Sequence, residues 1–559
     1  MVPEILFAAS RVGSSRLKMT SQSQASLFRL NLQMLRRPSW ILFSFLLVLT
    51  CVRIVWDAHS ELLPDEAYYY SWAQHPNVSY YSSGPGIALS VLAGTSLLGR
   101  CELGVRLLSP LLALGTSLLL YSLARRLYRE RIAFWLVVVL NLTPLFNFGA
   151  SFMTMAPLSL FFWTAAMVSF SLAVQESPKR LPFWALTGFL IGCGFLCDYA
   201  NAFQLISVLI FLITAAKHRR EFRRSGIYVL FGICCLFLAP PIIWNVQHDW
   251  IGLVPLSSDI EPHKHLSARF SAIFQFFGHQ LIVCSPLFFI AMLVALIGSI
   301  PRAFRSSKVC FLLSFSWPIL LMGLIAIFEH LTQPSWIALS FVSLSLLAVA
   351  WWLDVPPQNR ILRIAAVVAL VTAGASSLLA LDTDVLRTIG INLSYSSDPS
   401  SGLRGWKTAT AEIERFRTAF EQKLGEQVFL IGNRYQTSAM VAFYLRDPRV
   451  EDPGHPPVYI PESQNIENEF SFWRRYDEFV EPADKSEINS LFSEQSGVNP
   501  FINRTALYIT DAPDETPPQN LQNSFTRWEL VDHFQVNRRN EPLHEFRIFA
   551  CYQYQTLPL

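Results

Sequence analysis

Charge is what this sequence has least of. Only 15% of its residues are Asp, Glu, Lys or Arg, against 52% hydrophobic. A domain folded in water ordinarily carries about 25% charge, so a mainly soluble chain is excluded. Metal-like cysteine spacing is also missing. Nine cysteines are scattered, and Cys51, Cys193, Cys197, Cys234 and Cys235 lie inside apolar runs, where a thiol acts as a small packing group. No G-x-G-x-x-G and no phosphate loop occurs, so no nucleotide site is indicated. The net charge of +3 points to no nucleic-acid partner.

What the sequence does have is long apolar stretches between residues 39 and 381, each near the roughly 20 residues a membrane span needs. They predict eleven spans, at about 39–56, 103–124, 132–149, 156–174, 182–197, 202–216, 226–243, 278–299, 309–328, 334–353 and 361–381. Residues 1–38 form a basic tail with Arg11, Arg16, Lys18, Arg29, Arg36 and Arg37 against a single acid, Glu4. No cleavage-site pattern stands near the first span, which reads as an anchor. Basic segments stay in the cytoplasm, so the first span runs outward. Every second loop should then be basic, and each is: 125–131, 177–181, 217–224, 301–308 and 359–363. This threading puts the first large loop, 57–102, and residues 382–559 on the outer side.

That first loop contains "HSELLPDEAYYYSWAQHPNVSYYSSGPG", with three acids and no Lys or Arg. Other outer segments are "FMTMAP", "CDYANAF", "WNVQHDW" and "FEHLTQPSW". Acids, amides, His and Trp at many helix ends point to a cavity open to the exterior, since ionisable groups at membrane depth usually face one. Aromatic belts at the membrane interface explain Trp and Tyr as well. They do not explain the adjacent pair Asp65–Glu66. Such a carboxylate can take the proton of an acceptor hydroxyl. The competing reading is that both acids cap a short helix beginning at Pro64. The two are compatible if one acid caps while the other faces the cleft.

"LPDEAYYYSWAQ", "SYYSSGPGIALSVLAGTSLLG" and "ELGVRLLSPLLALGTSLLLYSLARRLY" together resemble the first third of glycosyltransferase family 39. That is the bacterial branch related to dolichyl-phosphate-mannose protein mannosyltransferases and lipid A aminoarabinose transferases. The likeness continues through "NLTPLF", "GFLCDYANAFQLI", "PPIIWNVQHDW" and "NRYQTSAMVAFYLRDPRV". The resemblance implies a mostly α, polytopic membrane protein with a GT-C fold. It also implies an inner-membrane enzyme that passes a sugar from a polyprenyl-phosphate donor to a protein, lipid or glycan acceptor on the outer face. By position Asp65 would be the catalytic carboxylate, and Glu66 would shape the site, paired with Arg106. Tyr80, Tyr81, Asp198, Asn245 and His248 would contact substrate, His248 being the best spare acid/base. No metal and no cofactor is expected.

The chain departs from its relatives at three places. Ser82 and Ser83 stand where the relatives carry charge, Met155 and Ala156 where an Asp is usual, and Asp198 where a Lys is common. A like charge at Asp198 weakens attraction to a lipid phosphate. Two alternatives stay open on these grounds: a degenerate member that binds lipid-linked sugar without transferring it, and a transporter. The second fits less well, because internal repeats are missing.

Residues 382–559 read as a small extracytoplasmic α/β domain. It opens on a Ser/Gly-rich loop, followed by helices over "TATAEIERFRTAFEQKL" and "TSAMVAFYL". Strands are predicted at "QVFLIG", "ALYIT", "WELVDHFQV" and "HEFRIFACY".

Overall fold

The computed structural model describes residues 37–175, 180–253, 266–328, 334–354, 360–381, 383–384, 398, 401–451, 453–463, 465–477, 499–513, 516–539 and 541–555. The basic tail before residue 37, the loop segment 329–333 and most of the Ser/Gly-rich stretch lie outside the described residues. Two compact units are present, Met1–Val52 and Arg53–Leu559. Helix α1 (Arg37–Asp57) begins in the first and ends in the second.

The first outer loop folds into three helices: α2 (Pro64–Gln74), α3 (Gly86–Leu98) and the single turn α4 (Glu102–Arg106). The membrane domain follows with α5 (Leu108–Leu127), α6 (Glu130–Leu142), α7 (Pro144–Ser151), α8 (Met155–Ala173), α9 (Leu181–Cys197), α10 (Phe203–Thr214) and α11 (Ser225–Gln247). Next come α12 (Leu266–Val283), α13 (Pro286–Ala303), α14 (Ser307–Ser314), α15 (Trp317–Phe328), α16 (Ala338–Asp354) and α17 (Arg360–Leu381).

Six helical stretches among the described residues are long and apolar enough to cross a membrane, or eight if two bent pairs count as spans. One bent pair is α6–α7, turning by 71° at Thr143–Pro144. In the other, α10 turns by 115° into the basic 3-10 helix Ala216–Arg223. The spans expected at 182–197, 334–353 and 361–381 coincide with shorter apolar helices at 181–197, 338–353 and 364–379. One boundary is corrected. The span expected over 278–299 starts at Pro286, because Ser285 has φ +70° and residues before it belong to α12. Proline disfavours helix in the residue before it and is at home in a first turn. Neighbouring spans approach closely where small residues allow. A side chain on Gly188 of α9 would meet the Leu230 carbonyl of α11 at 2.5 Å. In that gap the Cys234 thiol donates to the Gly188 carbonyl at 3.2 Å.

The C-terminal domain, expected on the outer side, contains α18 (Trp406–Leu424), β1 (Phe429–Gly432), α19 (Tyr435–Tyr444), β2 (Ala506–Thr510), α20 (Gln519–Ser524), β3 (Phe525–Arg538) and β4 (Glu541–Tyr554). The sheet order is β1-β2-β4-β3, with β1 and β2 parallel and the other pairs antiparallel. Strand alternation splits its side chains between two cores. Leu430, Leu507, Ile509, Ile548 and Ala550 join α18, α19 and the α2 residues Ala67, Tyr68 and Trp72. Phe429, Ile431, Tyr508, Phe549 and Cys551 form a second core on the other face. One face of the outer sheet is thus continuous with the first outer loop.

Candidate active site

The sequence PDEAYYYSWAQ folds as α2 because Pro64 supplies a ready-made first turn and Asp65 and Glu66 suit its N-terminus. The two acids then part company. The Glu66 carboxylate turns back and its Oε2 accepts the Leu63 N–H at 2.8 Å, while Oε1 accepts the Met153 N–H at 2.7 Å. Arg106, from α4, donates to it from Nε (2.8 Å to Oε1) and Nη2 (2.5 Å to Oε2). Arg106 also holds the Ser60 hydroxyl at 2.6 Å and the Glu61 carbonyl at 2.7 Å. Both side chains are wholly buried. Glu66 and Arg106 therefore tie α2, α4 and the start of the loop into one piece.

Asp65 faces the other way. With Tyr69, one turn on, it lines a cavity of about 460 Å³ that runs into the membrane domain. Its walls are apolar in the depth, with Leu339, Phe341 and Val342 of α16 and Phe288 and Met292 of α13. Polar groups also line it, among them Ser82, Thr154, Ser159 and Asp198. Among the described lining residues there is no Lys or Arg. Asp65 is exposed by surface area, yet the surrounding protein still strips part of the water from its carboxyl. This loss of water, with the Glu66 charge adding to it, pushes the Asp65 carboxyl above the ordinary carboxylate range.

Asp198 lies across the cavity at the end of α9. Its Oδ1 accepts the Ala200 N–H at 2.9 Å, forming the cap of the 3-10 turn Tyr199–Ala202. Burial raises its carboxyl, and hydrogen bonds from Ala200 and Ser159 act against that rise. Residues Thr154, Met155 and Ala156 bring the N-terminus of α8 to the cavity wall. The first N–H groups of a helix have no intrahelical partner and carry partial positive charge.

The remaining expected site residues stand elsewhere. Tyr80 is buried, stacked on Trp72 at 4.5 Å, and its hydroxyl donates to the Trp72 and His75 carbonyls, 3.2 Å each. The Tyr81 N–H donates to Glu469 Oε2 at 2.7 Å, and its hydroxyl reaches the Ile466 carbonyl at 3.3 Å. Asn245 donates to the Pro241 carbonyl of its own helix at 2.9 Å. The His248 ring stacks on Trp244 at 4.2 Å, with Nδ1 2.7 Å from the Trp244 carbonyl. None of these four lines the cavity. They frame the loop instead. "SSGPG" packs on the end of α9, where the Ser83 hydroxyl donates to the Cys197 carbonyl at 3.2 Å. A side chain on Gly84 would strike the Leu196 carbonyl.

Several further residues stand around the site, and apart from Tyr435 of "NRYQ" none was singled out from sequence. Arg53 and Asp57, one turn apart in α1, are buried beside the Glu66–Arg106 pair. Arg53 Nη2 donates to Asn147 Oδ1 at 2.5 Å and Asn141 Oδ1 at 3.2 Å. Their signal was an Arg and an Asp inside an apolar run, which is rare in a span unless it has work to do. Glu469 and Tyr435 come from the outer domain. Glu469 is buried between Tyr81 and Tyr68, whose hydroxyl accepts the Glu469 N–H at 2.7 Å. Burial pushes its carboxyl up to about 8. Tyr435 packs 4.5 Å from the Tyr68 ring and sits close enough to Asp65 for that charge to raise its hydroxyl, after burial. Among the described residues no three His, Cys, Asp or Glu side chains converge to hold a metal ion.

The chain is similar to known proteins in sequence and in fold. Residues 75–244 match the family model described as dolichyl-phosphate-mannose-protein mannosyltransferase. The lipid A galacturonosyltransferase RgtD of Rhizobium johnstonii is 26% identical over 422 residues, 75% of this chain and 85% of that protein. The fold is shared with ArnT from Cupriavidus metallidurans. Its apo structure superposes with a TM-score of 0.56 at 15% identity, over 91% of this chain and 97% of that one. The undecaprenyl-phosphate-bound structure gives 0.57 at 14% identity, over 94% and 100%. The fold and the family match define a membrane-embedded glycosyltransferase of the GT-C class. Within that class the chain is similar to the dolichyl-phosphate-mannose-protein mannosyltransferases over residues 75–244 and to the lipid A galacturonosyltransferase over most of its length.

Proposed function

We propose that this chain transfers a sugar from a polyprenyl-phosphate donor to a glycolipid acceptor of the lipid A type, on the outer face of the inner membrane. The observation that carries the reading is the orientation of Asp65: alone of the DEA acids it faces a cavity, with its partner Glu66 committed to structure. The undecaprenyl-phosphate bound by ArnT and the lipid A acted on by RgtD support the donor and acceptor classes.

In this scheme Asp65 accepts the proton of the acceptor hydroxyl as that oxygen attacks the anomeric carbon. The bond from that carbon to the phosphate oxygen breaks, its electron pair leaving with polyprenyl phosphate. One displacement inverts the anomeric centre. A carboxyl raised by its surroundings suits this role, because a stronger base works best near its own pKa. The apolar depth of the cavity receives the first prenyl units. Without a lining cation, the phosphate is held by the N-terminus of α8, a ready anion site.

The test is product analysis. Membranes containing the protein, given polyprenyl-phosphate sugar and lipid A, should yield lipid A heavier by one sugar residue in mass spectrometry. Label appearing only in protein would overturn the acceptor assignment.

A further inference from the structure

A second cleft, of about 890 Å³, lies wholly in the outer domain. It opens beside the parallel pair β1 and β2: Asn433, just past the end of β1, and Tyr508 of β2 line it. Crevices beyond the carboxyl ends of parallel strands are where such sheets take ligands. Its size falls within the roughly 300–1,000 Å³ of small-molecule sites, but its lining does not resemble the usual apolar one. Carboxamides dominate, with Gln436, Asn468, Gln519 and Gln522 prominent, and Tyr435 and Tyr508 supply rings.

The hydrogen bonds of the wall fix its groups rather than leave them to swing. Gln522 Nε2 donates to the Pro517 carbonyl at 2.7 Å, Gln519 Nε2 to Asn523 Oδ1 at 3.0 Å, and Asn468 Oδ1 accepts the Phe470 N–H at 3.0 Å. The charges are mostly spent. Arg434 is paired with Asp511 at 2.5 Å, and the buried Glu462 accepts from the Tyr554 and Ser524 hydroxyls. Among the described lining residues a phosphate or nucleotide therefore finds no uncommitted cation. A peptide strand finds no clear edge either, since Tyr459 already bridges β1 through Leu430 and Gly432. Fixed amides with aromatic rings match a ligand of many hydroxyls and little charge.

Tyr435 links this cleft to the site. It lines the cleft, touches Tyr68 of α2, and feels the Asp65 charge. We infer that the cleft binds the uncharged sugar portion of the acceptor, seating the glycan on the outer domain while its reacting hydroxyl reaches Asp65. This rests on the transferase reading above and names the part of the substrate that the outer domain recognises.

The test uses the full-length protein in detergent and the deacylated, dephosphorylated glucosamine disaccharide as probe. Binding is read by saturation-transfer NMR, alongside transfer to intact lipid A. Wild type should bind the probe, with sucrose as the reference for non-specific contact. Gln519→Ala combined with Gln522→Ala should weaken binding at least fivefold and raise KM for lipid A with little change in kcat. The single variant Gln436→Ala, on a different helix, should weaken binding independently. Asp65→Asn should bind the probe like wild type while losing transfer. No probe binding by wild type, or binding and KM unchanged in both cleft variants, overturns the inference. If probe binding depends on the cleft but no transfer occurs, the transferase reading fails and the cleft stands.

Discussion

Arg106 and Glu66 meet side-on and fully buried, Nη2 2.5 Å from Oε2 and Nε 2.8 Å from Oε1, with the remaining guanidinium hydrogens on Ser60 and Glu61. A buried pair this well satisfied is costly to break from one side, because the survivor is left charged and dry. Arg106→Ala should destabilise the protein by about 3–5 kcal/mol. Its thermal midpoint in detergent should fall markedly, and activity should be lost with the fold. Arg106→Lys, which lacks the planar fork, should recover only part of the stability.

The join between the first loop and the outer domain should respond to pH through Glu469. Its carboxyl is raised by burial from about 4.5 to about 8, so the folded state holds a proton that the unfolded chain releases. The associated stability is complete below pH 4.5 and is lost as pH rises towards 8. Thermal unfolding between pH 5 and 9 should show a declining midpoint, and Glu469→Gln should flatten that decline. A wild-type midpoint constant over this range contradicts the prediction.

Donor phosphate binding can be probed at α8 without removing a side chain that does chemistry. Met155→Pro places proline at the first helical position, where it is tolerated, and deletes one first-turn N–H of a residue that lines the cavity. Thr154 before it is already extended, at φ −114° and ψ −179°, as a residue preceding proline must be. A hydrogen bond to a charged group is worth about 1.5–3 kcal/mol, so KM for the polyprenyl-phosphate donor should rise about 10- to 100-fold. Unchanged KM would place the phosphate elsewhere.

Asp198 should make donor binding weaken with rising pH. Its carboxyl is raised, so it is neutral further up the pH scale than an ordinary Asp. Once ionised it repels the lipid phosphate. Asp198→Asn keeps an oxygen for the Ala200 N–H and removes the charge. The variant should hold donor KM constant over the pH range where the wild-type value climbs.

Much of this was legible in the sequence, and the limits have physical causes. Apolar run length marked the apolar helices, and apolar, β-branched content marked the strands of the C-terminal sheet. Asp65 and Glu66 stood out because paired acids beside a span need a reason. Their division of labour, one acid capping and one facing the cavity, follows from the 100° step between neighbours on a helix. Tyr80 and Tyr81 look like sugar platforms in a linear reading, yet Trp72 and Glu469 claim them. Those partners come from elsewhere in the chain, in the case of Glu469 nearly 400 residues away. Arg53 and Asp57 went unread because a run judged by its apolar average hides two charges on one face. The break at Ser285 was also hidden, since apolar residues flank it on both sides.

The central claim is that Asp65 is the base of a lipid-linked sugar transfer. The direct test compares transfer from radiolabelled undecaprenyl-phosphate sugars to lipid A by wild type and by Asp65→Asn, with both shown to be folded by their thermal midpoints. Loss of one positioned general base should lower the rate by about 10²- to 10⁴-fold. The account predicts that fall at an unchanged midpoint. Equal transfer by the two proteins would contradict it.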